Sequence, residues 1–168
     1  CQDPPNRREH TAMSYFVLPR SADSYLTGKA LFGPGTKGLG WAAVDQPVIM
    51  PKPDLVPMTG GYRRIPVLQI GADVYCDSAL IVRELDRRFP EPSLFPGGNR
   101  GTANAFEIWA DKTLFQSAVL AIFGTLGDGV DPAFIKDREA LSGQPFNVAA
   151  MKALSPFALT QIKAQAAL

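Results

Sequence analysis

The first half of this chain holds short apolar β-type runs broken by prolines and glycines, and its second half carries apolar stripes at every third or fourth position. "YFVL" (Tyr15 to Leu18) is a short β-type run ended by Pro19, and "WAAV" (Trp41 to Val44) reads as a second strand. Between them Ser24 to Phe32 fits a helix with Ser24 as N-cap, and Gly33-Pro34-Gly35 is expected to break it. The stretch from Asp45 to Tyr62 contains Pro47, Pro51, Pro53 and Pro57 and reads as a loop held in extended segments. Ile65 to Ile70 and Asp73 to Cys76 are then two strands. Gly71-Ala72 joins them, with glycine where a type II′ hairpin needs it. Ile81, Leu85 and Phe89 recur at i, i+4, i+8, so Ser78 to Phe89 is predicted as a helix burying one face.

Pro90, Pro92 and Pro96-Gly97-Gly98 interrupt the pattern, and a domain boundary is expected there. Beyond it Phe106, Trp109, Ala110 and Leu114 form a helical stripe. "DPAFIKDREALSG" predicts another helix, with Asp131 as N-cap, Pro132 at the first helical position and Gly143 past the end. Met151, Leu154, Ala158, Ile162 and Ala166 make a third stripe around Ser155-Pro156, and it runs to Leu168 without a stop signal. The expectation is an α+β fold: a βαβ–ββα domain over residues 13–91, then an all-helical domain over 99–168 that is incomplete at its C-terminus. Residues 1–12 are polar, precede the first methionine, and are expected to be a disordered lead or sequence upstream of the natural start.

Composition narrows the classes of partner. The chain has 168 residues and is 46% hydrophobic, enough for a packed core. Its net charge of +1 gives no bulk reason to expect nucleic acid or an anionic membrane. No apolar run reaches membrane-spanning length and no signal peptide is read, so a soluble, cytoplasmic protein is expected. The two cysteines, Cys1 and Cys76, are too few for a disulfide framework or a structural zinc site, and no metal is expected. The single histidine, His10, lies in the lead, which argues against a histidine base.

Three places carry candidate chemistry. Pro66 opens a strand to whose ladder it cannot donate, so it sits at an edge or takes a special geometry; composition alone favours an ordinary trans bond. Asp77-Ser78 opens a helix. The pair reads either as an N-cap or as a socket, in which the helix N-terminus and the Ser78 hydroxyl take a carboxylate while Asp77 attracts an ammonium. Ser24 and Thr27 place hydroxyls at the start of a helix, where the dipole stabilises an anion such as a thiolate; an N-cap is again the simpler reading. Cys76 ends a strand and reads as a small buried hydrophobe, and Arg63-Arg64 as a solvated pair.

In combination, "IPVL", the glycine turn, "DSALIVRELDRRFP" and the helical region resemble the glutathione S-transferase family. The stretch from Lys37 to Ile81 is similar to a bacterial branch of it. The resemblance implies a thioredoxin-like N-terminal domain and a helical C-terminal one. It makes Pro66 a cis-proline whose neighbour Ile65 offers backbone groups to the cysteinyl part of glutathione, and sets Asp77 and Ser78 on its γ-glutamyl end. It also puts Ser24 opposite the glutathione sulfur, with Thr27 three residues on. Tyr25, Gly28 and Gly33-Pro34-Gly35 depart from the family's pattern in that segment. The activity implied is conjugation of glutathione, as co-substrate and with no other cofactor, to a small apolar electrophile in detoxification. A homodimer is implied by the resemblance only. Two rivals share the fold. One is a non-catalytic glutathione-binding or protein-interaction module; the other is a thiol–disulfide oxidoreductase, which lacks the cysteine it needs at Ser24 or Thr27.

Overall fold

The computed structural model describes residues 16–20 and 33–167. The chain divides into two compact units: one extends to Leu94, and the second starts at Phe95 and also takes in Val48–Met50.

The first unit is built on a four-stranded sheet in the order β2-β1-β3-β4. Strands β1 (Phe16–Arg20) and β2 (Trp41–Asp45) are parallel, in register from Phe16 opposite Trp41 to Arg20 opposite Asp45. Parallel neighbours need a crossover connection, usually helical. Its described end, residues 33–36, is helical, and the Lys37 amide donates to the Gly33 carbonyl (3.2 Å). The expected break at Gly33-Pro34-Gly35 is therefore corrected for these residues. Packing gives the reason for the small residue: a Cβ on Gly33 would come within 2.9 Å of Leu85 Cδ1, and Pro34 is fully buried. The N-terminal part of that predicted helix lies outside the described residues.

Inside the proline-rich stretch a four-residue helix, α1 (Leu55–Met58), replaces the expected continuous loop. Leu55 is fully buried. Pro57 is tolerated because the first amides of a helix have no intrahelical acceptor. Strand β3 (Val67–Ile70) begins two residues later than predicted, after a cis Ile65–Pro66 peptide, because Pro66 has no N–H to give. Gly71 has φ +62° and turns the chain into β4 (Asp73–Cys76), antiparallel to β3. Helix α2 (Ser78–Arg88) follows and buries Ile81 and Leu85 against Leu68 and Ile70 of β3.

At the far end of α2, Lys37 and Asp86 form a buried ion pair (3.2 Å). Lys37 Nζ also donates to the carbonyls of Phe89 and Pro92, and Asp86 accepts from the Leu94 amide (2.7 Å).

The second unit is helical. α3 (Arg100–Ile108) is capped by Asn99, which accepts from the Thr102 amide at 3.0 Å. It widens to π geometry over Trp109–Leu114 and continues as α4 (Phe115–Leu126). α5 (Pro132–Ser142) has the predicted signals: Asp131 caps the Ala133 amide (2.8 Å), Pro132 opens it, and Gly143 ends it at φ +68°. α6 (Val148–Ala166) runs through Pro156 without ending there. Close approach of α4 and α6 depends on Gly124, where a Cβ would lie 2.4 Å from the Met151 carbonyl oxygen. Phe123, Phe134 and Phe146 pack together, with ring centroids 5.0–6.0 Å apart. The stripes are only partly covered: Ala158 is buried, but Phe106 and Leu154 are exposed.

Candidate functional site

Strand register gathers several groups at one end of the sheet. Val67 pairs with Cys76, so Ile65-Pro66 and Asp77-Ser78 lie just beyond the same end of the β3–β4 hairpin. Because β3 runs antiparallel to β1, the C-terminal ends of β1 and β2 lie at this end too. Ligands of open α/β sheets bind beyond the C-terminal ends of parallel strands.

Asp77 is the only non-glycine residue with positive φ among those described (φ 84°, ψ 132°). Its Oδ1 accepts from the amides of Ala79 (2.8 Å) and Leu80 (3.3 Å), so the capping role is real. Strained backbone of this kind costs about 1–3 kcal/mol and tends to collect at functional sites. The carboxylate remains exposed, while Ser78 is buried at the first position of the helix. Cap and socket are thus compatible: one oxygen closes the helix while the charge stays open to solvent.

Ile65 is half-buried and Pro66 buried. The Cys76 thiol is pushed up by its burial and then by the Asp77 charge, so it stays protonated at neutral pH and is a poor nucleophile. Ser24 and Thr27 lie outside the described residues; β1 ends at Arg20, four residues before Ser24, at the candidate end of the sheet.

Three further groups escaped the sequence reading. The Tyr62 phenol is pushed up first by burial, then by the Asp77 charge and, where the thiol ionises, by Cys76, with Arg64 opposing, which sets it within electrostatic reach of the site. Lys52 is buried and donates from Nζ to the Arg63 carbonyl (3.1 Å), two residues before Ile65. Gln46, directly after β2, is buried with its Oε1 unpartnered among the described residues. None had a signal: a lone Lys, Tyr or Gln in a proline-rich stretch fits no periodic pattern. Among the described residues, no three His, Cys, Asp or Glu side chains gather to hold a metal, and no helix is long and apolar enough to cross a membrane.

A mixed sheet of this topology, with a cis-proline before β3 and helices after α2, defines a thioredoxin-like domain followed by a helical region. Residues 18–93 match the family model of the glutathione S-transferase N-terminal domain, and the chain carries that domain. A GST-like protein from Pseudomonas syringae shares 40% identity and a TM-score of 0.61, over 76% of this chain and 48% of its own. This chain therefore spans about half the length of that relative. Rice GST1, solved in complex with glutathione, shares the fold at 18% identity and TM-score 0.56, over 90% of this chain and 86% of its own. A glutathione transferase homolog from Burkholderia, with bound glutathione, does so at 20% identity and TM-score 0.52, over 92% and 99%. No curated protein matches the chain.

Proposed function

We propose that this protein binds glutathione at the sheet end formed by Ile65-Pro66 and Asp77-Ser78 and conjugates it to a small apolar electrophile. The observation that carries the reading is the placement of the Ile65-Pro66 backbone at the same end of the β3–β4 hairpin as an exposed carboxylate and a helix N-terminus at Asp77-Ser78. Glutathione has the complementary parts: a peptide backbone to pair in extended form, and a γ-glutamyl end bearing both ammonium and carboxylate. Asp77 would take the ammonium, and the Ser78 hydroxyl, at the positive end of the α2 dipole, the carboxylate. The glutathione bound in the rice and Burkholderia neighbours supports the same ligand here.

Ser24 is the group proposed to act on sulfur, with Thr27 as the alternative. A hydroxyl donating to the thiolate lowers the thiol pKa and raises the fraction of nucleophile. With a chloronitrobenzene-type electrophile the sulfur attacks the ring carbon and a C–S bond forms. The C–Cl bond breaks, chloride leaves with the electron pair, and the thiol proton passes to solvent. Homodimerisation and a cytoplasmic setting belong to the same proposal.

Binding and turnover are measured separately. Calorimetric titration with glutathione reads the first, and release of the conjugate the second. Binding with turnover that falls at least tenfold in Ser24→Ala or Thr27→Ala supports the whole reading. Binding without turnover makes the chain a glutathione-binding module, and turnover that survives both substitutions removes their catalytic role. Absence of binding overturns the proposal.

A further inference from the structure

The stretch between β2 and β3 is divided between the two units. Its residues Val48–Met50 group with the helical unit, and two side chains of α5 fasten them there. Asp137, buried in the middle of α5, accepts from the Met50 amide through Oδ1 (3.0 Å). Arg138 donates from Nη2 to the Val48 carbonyl (2.9 Å) and to Asp137 Oδ2 (2.6 Å). The guanidinium also stacks over the Phe134 ring, 4.8 Å from its centroid. A buried carboxylate on a backbone amide, backed by an arginine fixed on an aromatic ring, is a charge-assisted and geometrically defined clamp.

What the clamp holds leads directly to the candidate site. Met50 is followed by Pro51, which fixes φ, and then by Lys52, whose buried ammonium donates to the Arg63 carbonyl (3.1 Å). Arg63 and Arg64 lead straight into Ile65-Pro66. A restraint applied at Met50 thus reaches the glutathione-facing backbone through one stiff residue and one part-buried hydrogen bond.

We infer that Asp137 and Arg138 are positioning residues: they fix residues 48–50, and through Lys52 the Ile65-Pro66 backbone, so that glutathione affinity depends on α5. The inference rests on the proposed function for its ligand but not for its mechanical half.

The test compares the parent, Asp137→Ala and Asp137→Asn, full chain in each case, by amide hydrogen exchange and by glutathione titration. Asn keeps an oxygen for the Met50 amide, so it is the conservative rescue. Expected is exchange at least tenfold faster over residues 48–65 in Asp137→Ala without ligand, and a glutathione Kd raised three- to tenfold. Asp137→Asn should recover most of both. Arg138→Ala gives the same readouts if Asp137→Ala does not fold. A parent that binds glutathione while every variant binds it equally overturns the inference alone, as does a lowered melting temperature with exchange over 48–65 unchanged. A parent that does not bind glutathione overturns the proposed function, and the affinity half of the inference goes with it; faster exchange over 48–65 would then leave only the mechanical clamp standing.

Discussion

Asp77 combines two demands in one side chain, and substitutions separate them. Its Oδ1 satisfies two of the amides that a helix start leaves open. Losing such a cap costs about 1 kcal/mol. Asparagine can still cap but has no charge for an ammonium. Asp77→Asn should therefore melt near the parent yet bind glutathione at least tenfold more weakly, whereas Asp77→Ala should lose both stability and affinity. Calorimetric titration and thermal melting read the two effects, and Asp77→Asn binding as tightly as the parent would leave Asp77 a cap and nothing more. This residue also shows how far the sequence could be read. Asp-Ser before an apolar helix announces a cap from local propensity alone. The positive φ, the exposure of the charge and its electrostatic effect on Tyr62 are products of the tertiary fold, and no local pattern encodes them. Cys76 is the converse case: its reading as a small buried hydrophobe needed only its place at a strand end, and the thiol is half-buried and pushed up by burial and then by the Asp77 charge.

At the scale of elements, the signals that survived were those with a local cause. Cap, proline and glycine signals located α5 to the residue, and Gly71 located the hairpin. The misreading at Gly33-Pro34-Gly35 has a non-local cause, the contact with Leu85 of α2, a residue 52 positions away in sequence. The Lys37–Asp86 pair is likewise invisible to periodicity, and it ties α2 to the end of the crossover. Burial works against the Asp86 carboxylate, but the Leu94 amide and Lys37 together hold it below the usual carboxylate range. A carboxyl whose folded pKa is depressed stabilises above its unfolded pKa and loses that contribution as pH falls through the folded value. Stability should accordingly be level above about pH 4 and decline below it. Glu84, held down to about 2 by hydrogen bonds from Arg87 and then Arg88, adds to the same acid slope. Asp86→Asn should flatten part of that slope, and Lys37→Met should cost about 3–5 kcal/mol at neutral pH because it leaves a buried charge unpaired. Urea titrations between pH 2 and 7 provide the measurement. Equal acid slopes in parent and Asp86→Asn would show that the pair does not set the acid limit.

For the whole molecule, the distribution of apolar surface says more than the count of apolar residues. The helical stripes specified which positions could be buried together, but period alone does not say which of them meet a neighbour. The first unit closes its core between the sheet and one face of α2, with Leu68, Ile81 and Leu85 fully buried. The helical unit is different. Its helices α4 and α6 pack tightly at Gly124, where small residues let the backbones approach, while the large side chains turn outward. Phe157 is 73% exposed, Phe106 64% and Ile108 63%. Ile122, Leu126 and Leu159 are also exposed, and they line an open apolar hollow together with Ala121 and Thr125. Contiguous apolar surface of this kind is unusual on a free monomer and binds apolar solutes. The folded chain should therefore bind anilinonaphthalene sulfonate well below its melting temperature. Ile122→Gln with Leu159→Gln should at least halve the fluorescence and leave melting within about 2 °C of the parent, since surface substitutions stay within about 0.5 kcal/mol. Undiminished fluorescence in that double variant would place the dye elsewhere and remove the hollow as a sticky surface. Loss of fluorescence together with a lower melting temperature would instead show that these side chains support the α4–α6 packing, and that their exposure understates what they contribute to the fold.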